Sequence, residues 1–548
     1  MLGLISLVLI NAIVSFFFVR YDLTTEKRYT LSNVTKDLLN QLDDIVYVQV
    51  YLGKDEDFPV GFKRLRDATK EMLDEFKVYA NGNVEFEFIN VVDNTDAKQK
   101  KEIYKQLRAK GLEPTPLEVK TEGGTISREV WPGALVRYKG KDISWQLLKR
   151  HHGMSADMQL NNSIQAIEYG FASCIRNLSM DDHPKIGVLE GHGELNDYEL
   201  ADILNALSSF YDVKRVSISG SPIGPDDYKC LIIAKPDTLF TEKDKYVLDQ
   251  YVMKGGKVLW VVDAMNTSVD SLRVSGSTVA VPYNLGIEDL LFKYGVRINQ
   301  NLIIDLQASK IPVNKAFAGQ EPRFELMPWL FSPLVMAQSA HPIVKNMEIV
   351  KFDFVSTMDT IKNEGVKKTI LLTSSKHGKI INSPVRIDLR MAALQVDETL
   401  LTDRKKNLAV LLEGEFTSVF KNRVKPMLNG EQFLARGKQN KMIVISDGDV
   451  IRNELQYSTK KAYPLGYDPY TQQTYGNKNF ILNCVNYLCD DSGLISVRSR
   501  DLTLRLLDKK KVRQERMKWQ IINIVLPTGI ILIFSLVYSY LRRRRFAN

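Results

Sequence analysis

The sequence predicts an α/β protein with a transmembrane helix at each end of the chain. Two charge-free apolar runs, one over the first nineteen residues and one over 521–541, are each long enough to cross a hydrocarbon core of about 30 Å. Between them, continuous apolar strands alternate with amphipathic helices, which is typical of a parallel sheet covered on both faces. The length of 548 residues suggests roughly two to four domains.

The N-terminal run is predicted as an anchor helix over residues 1–20. A signal peptide is the alternative, but no basic segment opens the run and no small-residue cleavage site precedes Arg20. We therefore expect an anchor that is retained in the mature protein.

The C-terminal run is predicted as a second membrane helix, and a buried core helix is the alternative. Pro527 lies within it, and membrane helices tolerate proline. A basic juxtamembrane segment (501–520) precedes the run and a basic tail (542–548), expected to be cytoplasmic, follows it. The basic side chains expected at the membrane interface are Lys509, Lys510, Lys511, Arg513, Arg542, Arg543, Arg544 and Arg545.

The net charge of +9 fits lipid headgroups better than nucleic acid, because the basic residues cluster beside the apolar runs. Basic residues follow the N-terminal run and flank the C-terminal run on both sides, so charge counting alone does not determine the topology.

Three regions are predicted between the anchors. Residues 30–150 form a small α/β domain, residues 160–310 form a second α/β domain with a parallel sheet, and residues 311–500 form a strand-rich extension that completes the α/β region. The second domain has the clearest pattern, with KIGVLE, KCLIIA and KVLWVV as buried strands between amphipathic helices.

Acidic turns follow three of the predicted strands, and ligands of open parallel sheets bind beyond the carboxyl ends of strands. One turn is GHGE, a second begins at Asp263, and a third contains Asp447 and Asp449. The alternative interpretation is that these acids cap helices and that the glycines permit a tight turn. The residues predicted to bind a ligand are Glu190, His192, Glu194 and Asp263.

Motifs of common enzyme classes are absent from the sequence. It has no GxxxxGK[ST] phosphate-binding loop, no GxSxG nucleophile elbow and no HExxH zinc motif. The four cysteines show neither a CxxC motif nor a disulfide framework and are expected in the core. We expect a protein that is not an enzyme, that has no metal or cofactor and that does not hydrolyse ATP itself.

The second domain resembles the class I glutamine-amidotransferase-like (flavodoxin-like) fold. The resemblance rests on YKCLIIAKPDTLFTEKDKYVLDQYVMKGGKVLWVVDA, which matches that fold's strand, helix and strand leading to the nucleophile turn. The resemblance implies a cysteine at that turn, whereas this chain has Val262, Asp263 and Ala264. Cys230 begins a strand at the opposite end of the sheet, so the sheet is expected without its nucleophile.

The whole chain resembles the GldG family, the auxiliary, substrate-binding-like subunits of gliding-motility ABC transporters of Bacteroidetes-type bacteria. The segments that carry this resemblance are FFFVRYDLTTEKRYTLSNVTKDLL, GVLEGHGE and NFILNCVNYLCDDSGLISVRSRDLTLRLLD.

The GldG resemblance implies a two-pass protein of the bacterial inner membrane with its large middle region in the periplasm. It implies a membrane permease partner and a cytoplasmic ATPase reached through the permease. The lipid bilayer and a second copy of the chain are further candidate partners. Two alternatives remain open, namely an anchored extracytoplasmic hydrolase acting on glycan or peptide, and a purely structural scaffold.

Overall fold

The computed structural model describes the chain from residue 30 to residue 546 with twelve gaps. The predicted anchor over 1–20 lies outside the described residues. The chain divides into two units, 1–500 and 501–548. The gaps cover 54–57, 91–96, 122–123, 149–154, 181, 220–221, 268, 317–319, 394–396, 427–431, 457–460 and 500–508.

The N-terminal part of the first unit is a small α/β layer. Its four-stranded sheet has the order β2-β1-β5-β6, in which β1 and β2 are parallel and the other pairs are antiparallel, while β3 and β4 form a separate hairpin. Its elements are α1 (Asn33–Asn40), β1 (Val46–Val50), α2 (Val60–Tyr79), β2 (Val84–Phe88), α3 (Ala97–Ala109), β3 (Thr115–Thr121), β4 (Gly124–Val130), β5 (Gly133–Tyr138), β6 (Lys141–Gln146), α4 (Ala156–Gln165) and α5 (Ile167–Ser179).

Local chemistry explains how this layer is built. Ser32 caps α1, since its hydroxyl accepts the N–H of Thr35 at 3.2 Å. In β1 the buried residues alternate with half-buried ones, as expected of a strand with one face on a core. Gly170 in α5 lets Trp145 approach closely, because a Cβ there would lie 2.1 Å from the indole ring.

The rest of the first unit contains the larger sheet and several small ones. The helices are α6 (Ala201–Ser208), α7 (Glu242–Met253), α8 (Val269–Ser275), α9 (Glu288–Tyr294) and α10 (Asn477–Cys489). The strands are β7 (Lys185–Leu189), β8 (Asp212–Val216), β9 (Cys230–Ala234), β10 (Lys257–Val261), β11 (Met265–Asn266), β12 (Ser277–Pro282), β13 (Val296–Ile298), β14 (Asn301–Asp305), β15 (Ala308–Asn314), β16 (Phe324–Val335), β17 (Val350–Lys351), β18 (Met358–Thr360), β19 (Val366–Thr373), β20 (Gly378–Asn382), β21 (Val385–Asp388), β22 (Asn407–Thr417), β23 (Arg436–Ile445), β24 (Tyr467–Asp468) and β25 (Gln473–Thr474).

The central sheet has the order β8-β7-β9-β10-β23-β22-β18-β13, and β19 pairs with β22 as well. Strands β8, β7, β9, β10 and β23 are parallel, whereas β22 runs antiparallel to β23. The mixed α/β class is therefore confirmed. The strands from 407–445, which fall in the predicted strand-rich extension, lie in the same sheet as β7 to β10. The likeness to an amidotransferase fold stays a prediction.

Both faces of the parallel strands are buried, which explains their continuous apolar sequences. On one face, Ile232 and Leu259 pack in a core with Leu207 of α6 and Val485 of α10. On the other face, Ile233 and Trp260 pack with residues of α7 and α9. The four free cysteines are buried, as predicted.

Small antiparallel sheets cover one end of the central sheet. They have the orders β11-β12-β21, β14-β20 and β15-β16-β17, and a core around Trp329, Phe331 and Phe354 holds them together. They bring the segment 351–353 next to the loop that follows β23, where the N–H of Asp353 donates to Oδ2 of Asp447 at 2.7 Å.

The second unit contains one long helix, α11 (Lys509–Phe546). Among the described residues, its stretch Lys511–Arg545 is the one helix long and apolar enough to cross a membrane. The predicted apolar run 521–541 lies inside it, with exposed side chains as large as Phe534 and Leu536. The basic residues predicted at the membrane interface occupy the two ends of this helix, which is a candidate membrane span.

Candidate functional site

Three parallel strands end together at the carboxyl edge of the central sheet. Ala234 of β9 pairs with Val261 of β10, and Val261 pairs with Ile445 of β23. Lys235 follows β9 directly, while Asp263 and Asp447 each lie two residues beyond their strands. Strand register thus collects one lysine and two carboxylates at one edge.

Lys235 is the centre of this cluster. Its Nζ lies 3.2 Å from Oδ2 of Asp263 and also pairs with Oδ1 of Asp449, and its side chain is only 12% exposed. Burial lowers the pKa of Lys235, but the carboxylates of Asp263, Asp449 and Asp447 outweigh burial and raise the pKa above its usual range. The lysine is therefore a fixed cation rather than a general base.

The two deepest carboxyls have unusual protonation properties. Burial raises the pKa of Asp263 to about 6, although Lys235 and the backbone N–H of Gly448 both favour its charged form. Asp447 accepts the N–H groups of Asp353 and Asp449, each at 2.7 Å. Burial, together with repulsion from the neighbouring carboxylates, raises the pKa of Asp447 well above its usual range.

A second buried lysine extends the cluster. Nζ of Lys351 lies 3.3 Å from Oδ2 of Asp353 and 3.8 Å from Oδ2 of Asp468. Hydroxyls of Ser332 and Ser309 donate to Asp353 and Asp468 respectively. Burial raises the pKa of Asp353.

A cleft of about 1000 Å³ opens beside this cluster. Its lining combines the charged groups of the cluster with polar and aromatic side chains from the turn before α6, from the segment after β23 and from the start of α10. Its charged and aromatic lining includes Tyr198, Glu199, Lys351, Asp353, Asp449, Arg452, Glu454, Lys461 and Tyr467.

The GHGE turn after β7 forms a separate set of contacts around His192. The imidazole stacks on Phe240 with ring centroids 3.8 Å apart, its Nε2 lies 3.4 Å from Oδ2 of Asp244, and its Nδ1 lies 3.4 Å from Oε1 of Glu194. Burial lowers the pKa of His192, but Glu194 and Asp244 outweigh it, so the pKa is raised above its usual range.

Helix capping and glycine geometry account for this turn. Asp244 accepts the backbone N–H and the hydroxyl of Thr241, which together form a capping box at the start of α7. Gly193 has a φ of +73°, and a Cβ there would lie 1.5 Å from Oδ1 of Asp237. Glu190 is exposed.

The four predicted ligand residues therefore fall into different environments. His192 and Glu194 contact each other, Glu190 is exposed beside them, and Asp263 has its direct polar contacts with Lys235 and Gly448 among the described residues. Whether any of them binds a ligand stays a prediction.

Sequence reasoning missed Lys235, Lys351, Asp353, Asp468 and Asp244. Lys235 had a usable signal, because it follows the buried strand CLIIA just as Asp263 follows KVLWV. Lys351 and Asp353 had none, since their contacts depend on how the small sheets pack. No group of three or more His, Cys, Asp or Glu within the described residues is suited to hold a metal ion.

Comparison with known proteins identifies the relatives of this chain. A family model described as "ABC-type uncharacterized transport system", of ABC transporter auxiliary proteins, matches residues 183–484. A model of a domain of unknown function matches residues 25–137. An "Uncharacterized protein" of Borreliella burgdorferi is 21% identical over 559 aligned positions, covering 99% of this chain and 97% of the relative.

Solved structures give weaker likenesses. The "mmIFT52 N-terminal domain" is 12% identical with a TM-score of 0.32 and covers 56% of this chain and 97% of its own. A ThuA-like protein from Parabacteroides merdae is 11% identical with a TM-score of 0.25 and covers 56% and 90%. At these TM-scores neither structure informs on function. The family match spans more than half of the sequence, and this chain therefore belongs to the family of ABC transporter auxiliary proteins.

Proposed function

We propose that this protein is a membrane-anchored, non-enzymatic auxiliary subunit of an ABC transporter, of the GldG type associated with gliding motility. Its α/β unit would lie in the periplasm and bind a ligand or a partner. Helix α11 and a first anchor over 1–20 would hold it in the inner membrane in two passes, beside a permease that carries a separate cytoplasmic ATPase.

The observation that carries this proposal is that the side chain after β10 is fully engaged in ion pairing and hydrogen bonding. In an enzyme of this architecture, we expect a reactive group at the turn after β10. Here that position holds Asp263, whose two oxygens are taken by Lys235 and by the N–H of Gly448. A carboxylate with both oxygens engaged in ion pairing and hydrogen bonding is poorly placed to act as a base or nucleophile.

The contacts of His192 also include no nucleophile among the described residues. Each imidazole nitrogen faces a carboxylate, Glu194 on one side and Asp244 on the other, and Asp244 is already used to cap α7. A catalytic triad needs one nitrogen on a nucleophile instead. This arrangement supports a structural role for the turn rather than hydrolysis.

A separate energy source is supported by the sequence. The chain has no GxxxxGK[ST] loop, so a transporter that contains it needs another subunit to bind ATP. Movement of the permease would then reach the α/β unit through the membrane helices.

Purification from detergent-solubilised membranes tests the proposal. The tagged full-length chain is expected to recover a polytopic permease and an ATPase. A matched variant, Glu190→Gln/Glu194→Gln, is expected to recover the same subunits and to leave the cellular phenotype unchanged. Recovery of the chain alone would contradict a transporter role, and loss of phenotype in the variant with the complex intact would favour an anchored hydrolase.

A further inference from the structure

We propose that the cleft beside the strand ends binds a cationic organic ligand through a primary ammonium group. The group could belong to a small free amine or to a lysine side chain of a peptide, which share this chemistry. The inference rests on the proposed binding role and names the ligand class that this role would involve.

Charge balance is the first argument. Among the described residues that line the cleft or lie directly behind it, seven carboxylates stand against four cationic side chains. The carboxylates are Glu199, Asp263, Asp353, Asp447, Asp449, Glu454 and Asp468, and the cations are Lys235, Lys351, Arg452 and Lys461. Each of Lys235, Lys351 and Arg452 contacts two of these carboxylates, so each cation is shared and the cluster can accommodate a further cation.

An unpartnered oxygen is the second argument. The side chain of Asp449 is only 8% exposed, and its Oδ1 pairs with Lys235. Its Oδ2 is buried and has no hydrogen-bond partner among the described residues. A buried acceptor of this kind normally has a donor, and an ammonium group supplies three.

The shape and the aromatic lining favour an organic cation over a metal ion. A volume of about 1000 Å³ matches small-molecule sites and greatly exceeds a single ion. Tyr198 at the cleft is 70% exposed, and Tyr467 stacks on Tyr463 with centroids 4.9 Å apart. Tyrosine faces attract ammonium groups through the ring quadrupole.

Calorimetry on the full-length chain in detergent tests the inference with three probes: spermidine, trilysine and maltotriose. Saturable binding of spermidine alone identifies a free amine as the ligand, and binding of trilysine alone identifies a peptide side chain. Binding of either amine, or of both, supports the inference. Absence of binding by both amines, or equal binding of maltotriose, overturns it.

Variants locate the binding. Asp449→Asn is expected to weaken amine binding by about 10-fold or more, because ionised partners strengthen a hydrogen bond. Since Asp449 also pairs with Lys235, Glu454→Gln serves as a second variant, and Tyr198→Ala is expected to weaken binding about 2- to 5-fold. Asp212→Asn, which removes a carboxylate paired with Lys214 away from the cleft, is the matched control and is expected to bind normally.

The same preparations separate this inference from the proposed function. A chain that recovers the permease and ATPase but binds no amine overturns the ligand class only. A chain that binds amines but recovers no transporter subunit overturns the transporter role only.

Discussion

Lys235 has a backbone conformation that few lysines adopt. Its φ of +54° lies in the left-handed region, which costs a non-glycine residue of order 1–3 kcal/mol. The conformation turns the chain at the end of β9 and lets Nζ reach both Asp263 and Asp449. Two ion pairs in a buried setting offset the backbone cost, so the lysine and its carboxylates depend on each other.

Gly448 leaves room for the side chain of Lys235, because glycine has no Cβ. A Cβ at residue 448 would lie 2.5 Å from Cγ of Lys235 and 2.7 Å from its Cβ. We expect Gly448→Ala to lower the free energy of unfolding by about 1–3 kcal/mol, as overpacking does. The urea midpoint measures the effect. Gly224→Ala, where a Cβ meets its nearest atom at 3.6 Å, should leave the midpoint nearly unchanged, and equal effects would contradict the packing argument.

Asp263 should make stability depend on pH in an unusual direction. Burial raises its folded pKa to about 6, above the unfolded value near 3.9, so the folded chain binds more protons between these values. The stability contributed by this group is present at pH 4 and is lost as the pH rises through about 6.

We therefore expect the difference in unfolding free energy between wild type and Asp263→Asn to fall by about 2–3 kcal/mol from pH 4 to pH 7. Urea denaturation of both proteins at four pH values gives this difference and cancels the titration of groups that do not interact with Asp263. A difference that rises with pH would show that Asp263 is normally ionised in the folded state.

Residue-level prediction from the sequence succeeded where strand order alone sets the position. The acids after KVLWV and MIVIS were recognised because the carboxyl ends of parallel strands share an edge. Asp353 and Asp468 could not be recognised, since a pairing between residues 353 and 447 depends on packing between separate sheets. The unusual φ of Lys235 likewise has no signature in a single sequence.

At the scale of elements, helices and buried strands followed from the periodicity of apolar residues. The predicted strands KIGVLE, KCLIIA and KVLWVV correspond to β7, β9 and β10, because strands buried on both faces need continuous apolar sequences. The sequence did not reveal that β23 pairs with β10 across more than 180 residues, since register is not encoded locally.

Helix α11 allows a direct test of membrane crossing. Leu532 and Ile533 are exposed near the middle of its apolar stretch. Each arginine at the centre of a membrane helix costs about 2.5–3.5 kcal/mol, so Leu532→Arg/Ile533→Arg should prevent crossing. A tag after Asn548, probed with a membrane-impermeant reagent, should change sides relative to the α/β unit.

The matched control places the same charges near the end of the helix. Met517→Arg/Trp519→Arg should leave the tag where it is in the wild type, because arginines at that depth reach the interface. If the central variant also leaves the tag in place, α11 does not cross the membrane as proposed.

At the scale of the whole first unit, the end of the unit's described part packs beside its first described residues. After α10, Leu494 and Val497 pack into the same core as Leu31 and α5. Ser32 is held nearby, since its N–H donates to Glu168 of α5 at 2.7 Å. Both ends of the described part of the unit therefore contact one helix of the small N-terminal layer.

Asp490 links the segment after α10 to α5. Its carboxylate accepts N–H groups from Ser492, Gly493 and Ile495, and Nη1 of Arg176 in α5 lies 3.1 Å away. We expect Asp490→Ala to lower the unfolding free energy by about 3–5 kcal/mol, since it leaves a half-buried arginine and several N–H donors without partners. Hydrogen exchange should show faster opening of α5 and of residues 494–498.

Asp491→Ala is the control for this region, because the neighbouring carboxylate is largely exposed and pairs with Lys229 and Lys257. It should leave the exchange of α5 unchanged. If hydrogen exchange of α5 became equally faster in both variants, the contact between Asp490 and Arg176 would not be what stabilises α5.

The shared contact of both ends with α5 has a mechanical consequence. Tension applied between residues 30 and 499 runs through α1, α5 and the short turn after Asp490, and the nine-stranded sheet with its cleft lies outside that load path. When the molecule is pulled at these two points in an optical trap, the contacts of α1 and of residues 494–497 with α5 should break first. The cleft should keep its shape at that stage.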